Sequence, residues 1–109
     1  MSDQINIFIC CGAGASSGFI AQKARQAAKA RGWENVEVIA RSEAELDENL
    51  PNADVVLLGP HLEYMIDDAR RRAAAHEVRV ALIPQSLYGT MDGAGILDLA
   101  ADVLEAEDE

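Results

Sequence analysis

The residues richest in chemistry are two adjacent thiols, Cys10 and Cys11, and the run of small side chains that follows the second: Cys11-Gly12-Ala13-Gly14-Ala15-Ser16-Ser17-Gly18. A loop built this way lets the backbone wrap an anion. With no bulky groups in the way, the amides of Gly12, Ala13, Gly14, Ala15, Ser16, Ser17 and Gly18 can converge on one point, and a helix starting there adds the positive end of its dipole. The same field favours a thiolate, the nucleophilic form of cysteine. Cys11 at the mouth of such a cradle can attack phosphorus, after which the amides hold the phosphorylated product, so the chemistry expected is covalent phosphoryl transfer. Cys10, as the last residue of the preceding apolar segment, reads as a small core side chain.

Other loops of this general kind are distinguished by their letters. A nucleotide-binding P-loop needs G-x-x-x-x-G-K-[ST], and no lysine occurs before Lys23. A dinucleotide fingerprint needs G-x-G-x-x-G; Gly12, Gly14 and Gly18 are one residue too widely spread, and Ala40-Arg41 stands where the second strand should end on an acid. A low-molecular-weight cysteine phosphatase needs an arginine six residues after its nucleophile, where this chain has Ser17. That leaves a phosphoryl carrier first, a phosphatase-like hydrolase without its main cation second, and a non-catalytic adaptor that only binds anions third.

The elements that must position this loop are legible in the apolar pattern. Ile5 to Cys10, Val36 to Ala40, Asp54 to Leu58 and Arg79 to Ile83 are short and rich in Val, Ile and Leu. Runs such as Val55-Val56-Leu57-Leu58 lack alternation, as strands buried on both faces do. The first helix is predicted from about Ser16 to Arg31, with Gly32 ending it. A short helix follows Ser42, whose spacing to Glu45 matches a capping box. A third helix after Gly59-Pro60 puts Leu62, Met65, Ile66, Ala69 and Ala73 on one face, and the last carries Ile96, Leu97, Ala100, Val103 and Leu104. The alternation implies right-handed crossovers and an α/β fold: a four-stranded parallel sheet, doubly wound in the flavodoxin manner, with helices on both faces and the phosphate-binding loop after the first strand. Its topological switch would lie between the first and third strands, bringing the loop from Cys11 near Gly59-Pro60-His61 and, more distantly, the segment Pro84 to Gly89.

Composition bounds the rest. A chain of 109 residues with 50% hydrophobic and 26% charged residues is expected to form one globular domain over 1–109, with an acidic tail from about residue 105. The 19 acidic against 9 basic residues, net charge -10, disfavour nucleic acid and anionic membrane surfaces. Adjacent cysteines cannot staple distant segments, so a reducing, cytoplasmic setting is expected. No run nears the roughly 20 apolar residues that span a bilayer, so direct membrane insertion is not expected. His61 and His76 are isolated, and no Cys/His spacing repeats, so neither metal nor cofactor is expected.

Taken together, these residues resemble the IIB components of the lactose, cellobiose and chitobiose class of the bacterial phosphoenolpyruvate-dependent sugar phosphotransferase system. Cys11-Gly12-Ala13-Gly14-Ala15-Ser16-Ser17 matches the family's cysteine loop when Cys11 takes the nucleophile position. Asn52-Ala53-Asp54-Val55-Val56-Leu57-Leu58-Gly59-Pro60 with Tyr64-Met65, and Tyr88-Gly89 followed by Asp92-Gly93, Gly95 and Leu97, agree in order and spacing. Ala15 stands where the family often has methionine, and Cys10 where it usually has an aromatic or aliphatic residue. The resemblance implies a relay. A IIA phosphohistidine gives its phosphoryl group to Cys11, which passes it to a sugar, such as cellobiose, chitobiose or lactose, bound by a membrane IIC permease. His61 reads as a surface or capping residue, Trp33 as packing, and Tyr88 and Asp92 as lining the site or shaping a turn.

Overall fold

A computed structural model describes residues 4–11 and 16–105, the side chains of residues 11, 16–18 and 43 excepted. Four parallel strands form one sheet: β1 (Ile5–Cys11), β2 (Val36–Ser42), β3 (Val55–Leu58) and β4 (Arg79–Leu82), in the order β2-β1-β3-β4. Helices α1 (Ser16–Ala30), α2 (Leu46–Asn49), α3 (Ile66–Ala74), α4 (Gln85–Thr90) and α5 (Gly93–Glu105) make the connections, with 3-10 turns at Glu43–Glu45, Leu50–Asn52 and Pro60–Met65.

The sheet separates two apolar layers, and β1 feeds both. Ile7 and Ile9 join Val55, Leu57, Ile20, Ala24, Ile96 and Leu97 on the α1 and α5 side. Phe8 and Cys10 join Val56, Leu58, Leu46, Leu50, Leu62 and Ala69 on the α2 and α3 side. Period-two alternation in β1 and β3 therefore serves two cores at once, whereas the edge strand β2 keeps Glu37 and Arg41 exposed.

The small residues of α1 and α5 allow close packing, and Gly93 sits against the backbone of Lys23 and Ala24. Helix α1 ends as predicted: Gly32 has φ +77°, Trp33 N–H donates to Ala28 O at 2.8 Å and Gly32 N–H to Lys29 O at 3.1 Å. The exposed Arg31 guanidinium lies 4.9 Å from the Trp33 ring centroid, so Trp33 packs by a cation–π contact at the helix end.

Several expectations need adjustment. The helix expected after Gly59-Pro60 is α-helical only from Ile66, so Leu62 and Met65 stand in the 3-10 turn before it. Strand β2 runs two residues further than its apolar stretch, because Arg41 and Ser42 pair with Cys10 and Cys11. The short helix after Ser42 begins only at Leu46, following the 3-10 turn, and the Ser42 hydroxyl donates to the Glu45 carboxylate at 3.4 Å. Asp54 stands just before β3, where its carboxylate accepts the Asn6 N–H at 2.7 Å and ties the start of β3 to β1. Helix α4, in the segment Pro84 to Gly89, was not expected as a helix. At the far end, α5 includes Glu105, and the remainder of the acidic tail lies outside the described residues.

Both edges of the sheet carry a guanidinium. Arg25 of α1 donates to Val38 O of β2 at 2.8 Å, and Arg70 of α3 to Val80 O of β4 at 3.4 Å. Each occupies an acceptor that another strand would need for edge pairing.

Candidate functional site

The carboxyl ends of β1, β3 and β4 finish side by side. Gly59 N–H donates to Cys10 O at 3.0 Å and Ile83 N–H to Leu58 O at 2.7 Å, extending each ladder past the last paired strand residue. From β1 the chain leaves through α1 to β2 on one side; from β2 it crosses to β3 on the other. That reversal puts the topological switch between β1 and β3, where open α/β sheets form ligand sites.

Cys11 is the last residue of β1 and pairs in register with Ser42. Helix α1 starts at Ser16, so its amino terminus follows the strand end after the four residues 12–15. Of the loop expected to bind phosphate, Gly12, Ala13, Gly14 and Ala15 lie outside the described residues. Ser16, Ser17 and Gly18 form the first turn of α1, and their side chains, like that of Cys11, lie outside the description. The neighbouring thiol is fully settled: Cys10 is buried, in the layer of Phe8, Leu58 and Leu62, as expected of a core side chain.

Two aromatic residues flank this edge on the switch side. His61, exposed, follows Gly59-Pro60 at the end of β3, and its ring centroid is 5.7 Å from that of Tyr88 on α4, tilted by 58°. Sequence reasoning gave His61 no part in this contact, and its only signal was a place two residues beyond the switch-point glycine. On the other side Arg41, level with Cys10 on β2, donates to Ala40 O at 2.9 Å and pairs with Glu45 at 3.6 Å. Asp92 belongs to the turn and not to the cluster: its carboxylate accepts the Gly95 N–H at 3.0 Å and its carbonyl the Ile96 N–H, starting α5.

An apolar groove of about 570 Å³ lies at the opposite end of the sheet, between Ile5, Trp33, Val36, Leu97 and Leu104. The length of β1, roughly 20 Å for seven residues, separates it from Cys11. Among the described residues no group of three or more His, Cys, Asp or Glu is placed to hold a metal ion, and no helix is long and apolar enough to cross a membrane.

This geometry has known counterparts. The chain is 31% identical, over 95% of its own length and 99% of the relative's, to the galactose-specific EIIB component of Lactococcus lactis subsp. cremoris. It is equally similar, with the same identity and coverage, to the cellobiose-specific EIIB component of Lactococcus lactis subsp. lactis. The solution structure of the cellobiose-specific IIB component from Borrelia burgdorferi superposes with a TM-score of 0.80 at 28% identity, covering 100% of this chain and 99% of that one. The family model for the lactose/cellobiose-specific IIB subunit of the phosphotransferase system matches residues 6–99. The chain belongs to that family and is a phosphotransferase component of a sugar phosphotransferase system.

Proposed function

We propose that Cys11 is the phosphoryl carrier, accepting the group from the phosphohistidine of a IIA protein and passing it to a sugar held by a membrane IIC permease. The observation that carries this reading is the place of Cys11. It ends one of the two inner strands at the switch, just ahead of the amino terminus of the 15-residue helix α1, while Cys10 is buried in the core. In the first step the Cys11 thiolate attacks phosphorus, an S–P bond forms, and the P–N bond breaks with its electron pair returning to the donor imidazole. In the second, a sugar hydroxyl oxygen forms the new O–P bond, its proton leaves, and the thiolate departs with the S–P electrons. The amides from Gly12 to Gly18 hold the phosphoryl oxygens in both steps, at the positive end of the α1 dipole.

The whole chain, 1–109, acts as one carrier domain in the cytoplasm, where its donor and the inner face of its permease meet it. Its sugar is a β-disaccharide such as cellobiose, chitobiose or lactose. Relatives of equal identity are named for galactose and for cellobiose, which supports a choice of sugar made on the permease. Incubation with a phosphorylated IIA protein of this class, followed by intact-mass measurement and mapping, should find one phosphoryl group on Cys11. Cys11→Ser should abolish it; phosphate on Cys10 in the wild-type protein would overturn the assignment.

A further inference from the structure

We propose that His61 is a phosphoryl-binding residue, donating a ring N–H to the group carried by Cys11 from the β3 side of the strand end, and that Tyr88 positions its ring. The proposal rests on the Cys11 reading and extends that site to two residues it did not include.

Charge is the first reason. A transferring phosphoryl group spreads negative charge over three oxygens, and donors aimed at them lower the barrier. The run from Cys11 to Gly18 contains no Lys, Arg or His, and the whole chain carries -10. Arg41, the cation level with the end of β1 on the β2 side, is turned onto its own strand's Ala40 carbonyl and Glu45.

Position is the second reason. The bond from Gly59 N–H to Cys10 O sets Gly59 level with the end of β1, and His61 follows two residues on. Gly59 lies beside the end of β1 and two residues of chain span at most about 7 Å, so His61, in the 3-10 turn that follows, stays within reach of a phosphoryl group carried at the strand end. The ring is also steadied: 5.7 Å and 58° from Tyr88 is within the range of tilted aromatic pairs, and Tyr88 arrives from α4, which follows β4 directly. A neutral imidazole carries one N–H and a protonated one two, so a donor is present in either form. His61 takes no part in bond making; it holds an oxygen while the S–P bond forms and breaks.

The test is single-turnover transfer from a phosphorylated IIA protein, read by quenched intact mass, on wild type, His61→Ala, His61→Gln, Tyr88→Phe and Tyr88→Leu. His61→Ala should slow transfer about tenfold, or about 1.4 kcal/mol. His61→Gln, which restores an N–H donor without the ring, should recover most of that loss. Tyr88→Phe should match wild type, and Tyr88→Leu should slow transfer severalfold. Cys11 phosphorylated by His61→Ala at the wild-type rate overturns this proposal alone, as does His61→Gln as slow as His61→Ala. Phosphate mapped to another residue in the wild-type protein overturns the Cys11 reading and this proposal with it. Should His61→Ala fold poorly, ¹⁵N-labelled wild-type protein supplies the second measurement: the imidazole nitrogen resonances of His61 should shift when Cys11 is phosphorylated, and unmoved resonances refute the contact.

Discussion

Gly93 starts α5 against the backbone of α1, and replacing it with alanine tests how tightly the helix carrying the cysteine loop is tied to the rest. A β-carbon at Gly93 would fall 2.3 Å from the carbonyl carbon and oxygen of Lys23 and 2.6 Å from the Ala24 nitrogen. Optimal carbon contacts lie near 3.5–4.0 Å, so the helices must part by roughly 1 Å at that point. The opposing atoms are backbone and cannot rotate aside. A gap of that size forfeits about a quarter to a half of the contact energy across the seam of Ala21, Ala24 and Ala28 with Ile96, Leu97 and Ala100. Overpacking costs about 1–3 kcal/mol, and a backbone clash belongs at the upper end, so Gly93→Ala should lose about 3 kcal/mol. Gly89→Ala is the control. Its nearest foreign atom would be Gln85 Nε2 at 3.8 Å, and within α4 alanine should gain about 0.5–1 kcal/mol. In urea unfolding, with a slope of about 1.5 kcal/mol per M, the Gly93 variant should move its midpoint down by about 2 M while the Gly89 variant moves slightly up. Equal midpoints for Gly93→Ala and wild type would refute the close approach of α1 and α5.

Further outcomes follow from the same structure. Cys10→Ala removes one buried atom from the layer of Phe8, Leu58 and Leu62 and should cost about 1 kcal/mol in unfolding experiments, with phosphoryl acceptance on Cys11 retained. Arg25→Leu combined with Arg70→Leu uncovers carbonyls on both sheet edges; light scattering at high concentration should show association that wild type lacks, and unchanged scattering would deny the guanidiniums that protective role. With Ser17 where a cysteine phosphatase has arginine, the purified protein should turn over aryl phosphates poorly, and its phosphorylated form should outlast a transfer assay. Rapid multiple-turnover hydrolysis would favour the phosphatase.

What the sequence disclosed depended on whether a local cause was written in local letters. Val55-Val56-Leu57-Leu58 announced a doubly covered strand because burial on both faces demands four apolar residues in a row, and all four are buried. Gly32 announced a helix end because a left-handed residue favours glycine. Two further helices end the same way without that signal. Glu77 has φ 60° after α3, with Val78 N–H on Ala73 O at 3.1 Å; Met91 has φ 53° after α4, with Asp92 N–H on Leu87 O at 3.0 Å. Neither letter favours the left-handed region, so the tertiary fold imposes it at about 1 kcal/mol each. Helix α4 stayed hidden because Gly89 lies inside it and its six residues are too few to show a period. At the site, composition alone singles out the run from Cys11 to Gly18, of which residues 12–15 lie outside the described ones, whereas the contact between His61 and Tyr88 joins the ends of two strands and is written in no single segment.

The position of Cys11 also bears on how a run of small residues would support the proposed phosphoryl transfer. Like β3, β1 pairs on both sides, over Ile7 to Cys10, and its side chains alternate between both buried layers. Displacing its carboxyl end would break ladder bonds to β2 and β3 and disturb two cores together, so the backbone entering the loop is fixed by long-range packing. The small residues that follow would then suit the proposed close approach of backbone to phosphoryl oxygens. A carrier must meet a donor and an acceptor in turn at the same sulfur, and an enclosing cavity would obstruct both. Placing the proposed nucleophile at the end of a strand held on both sides would provide precision from the scaffold.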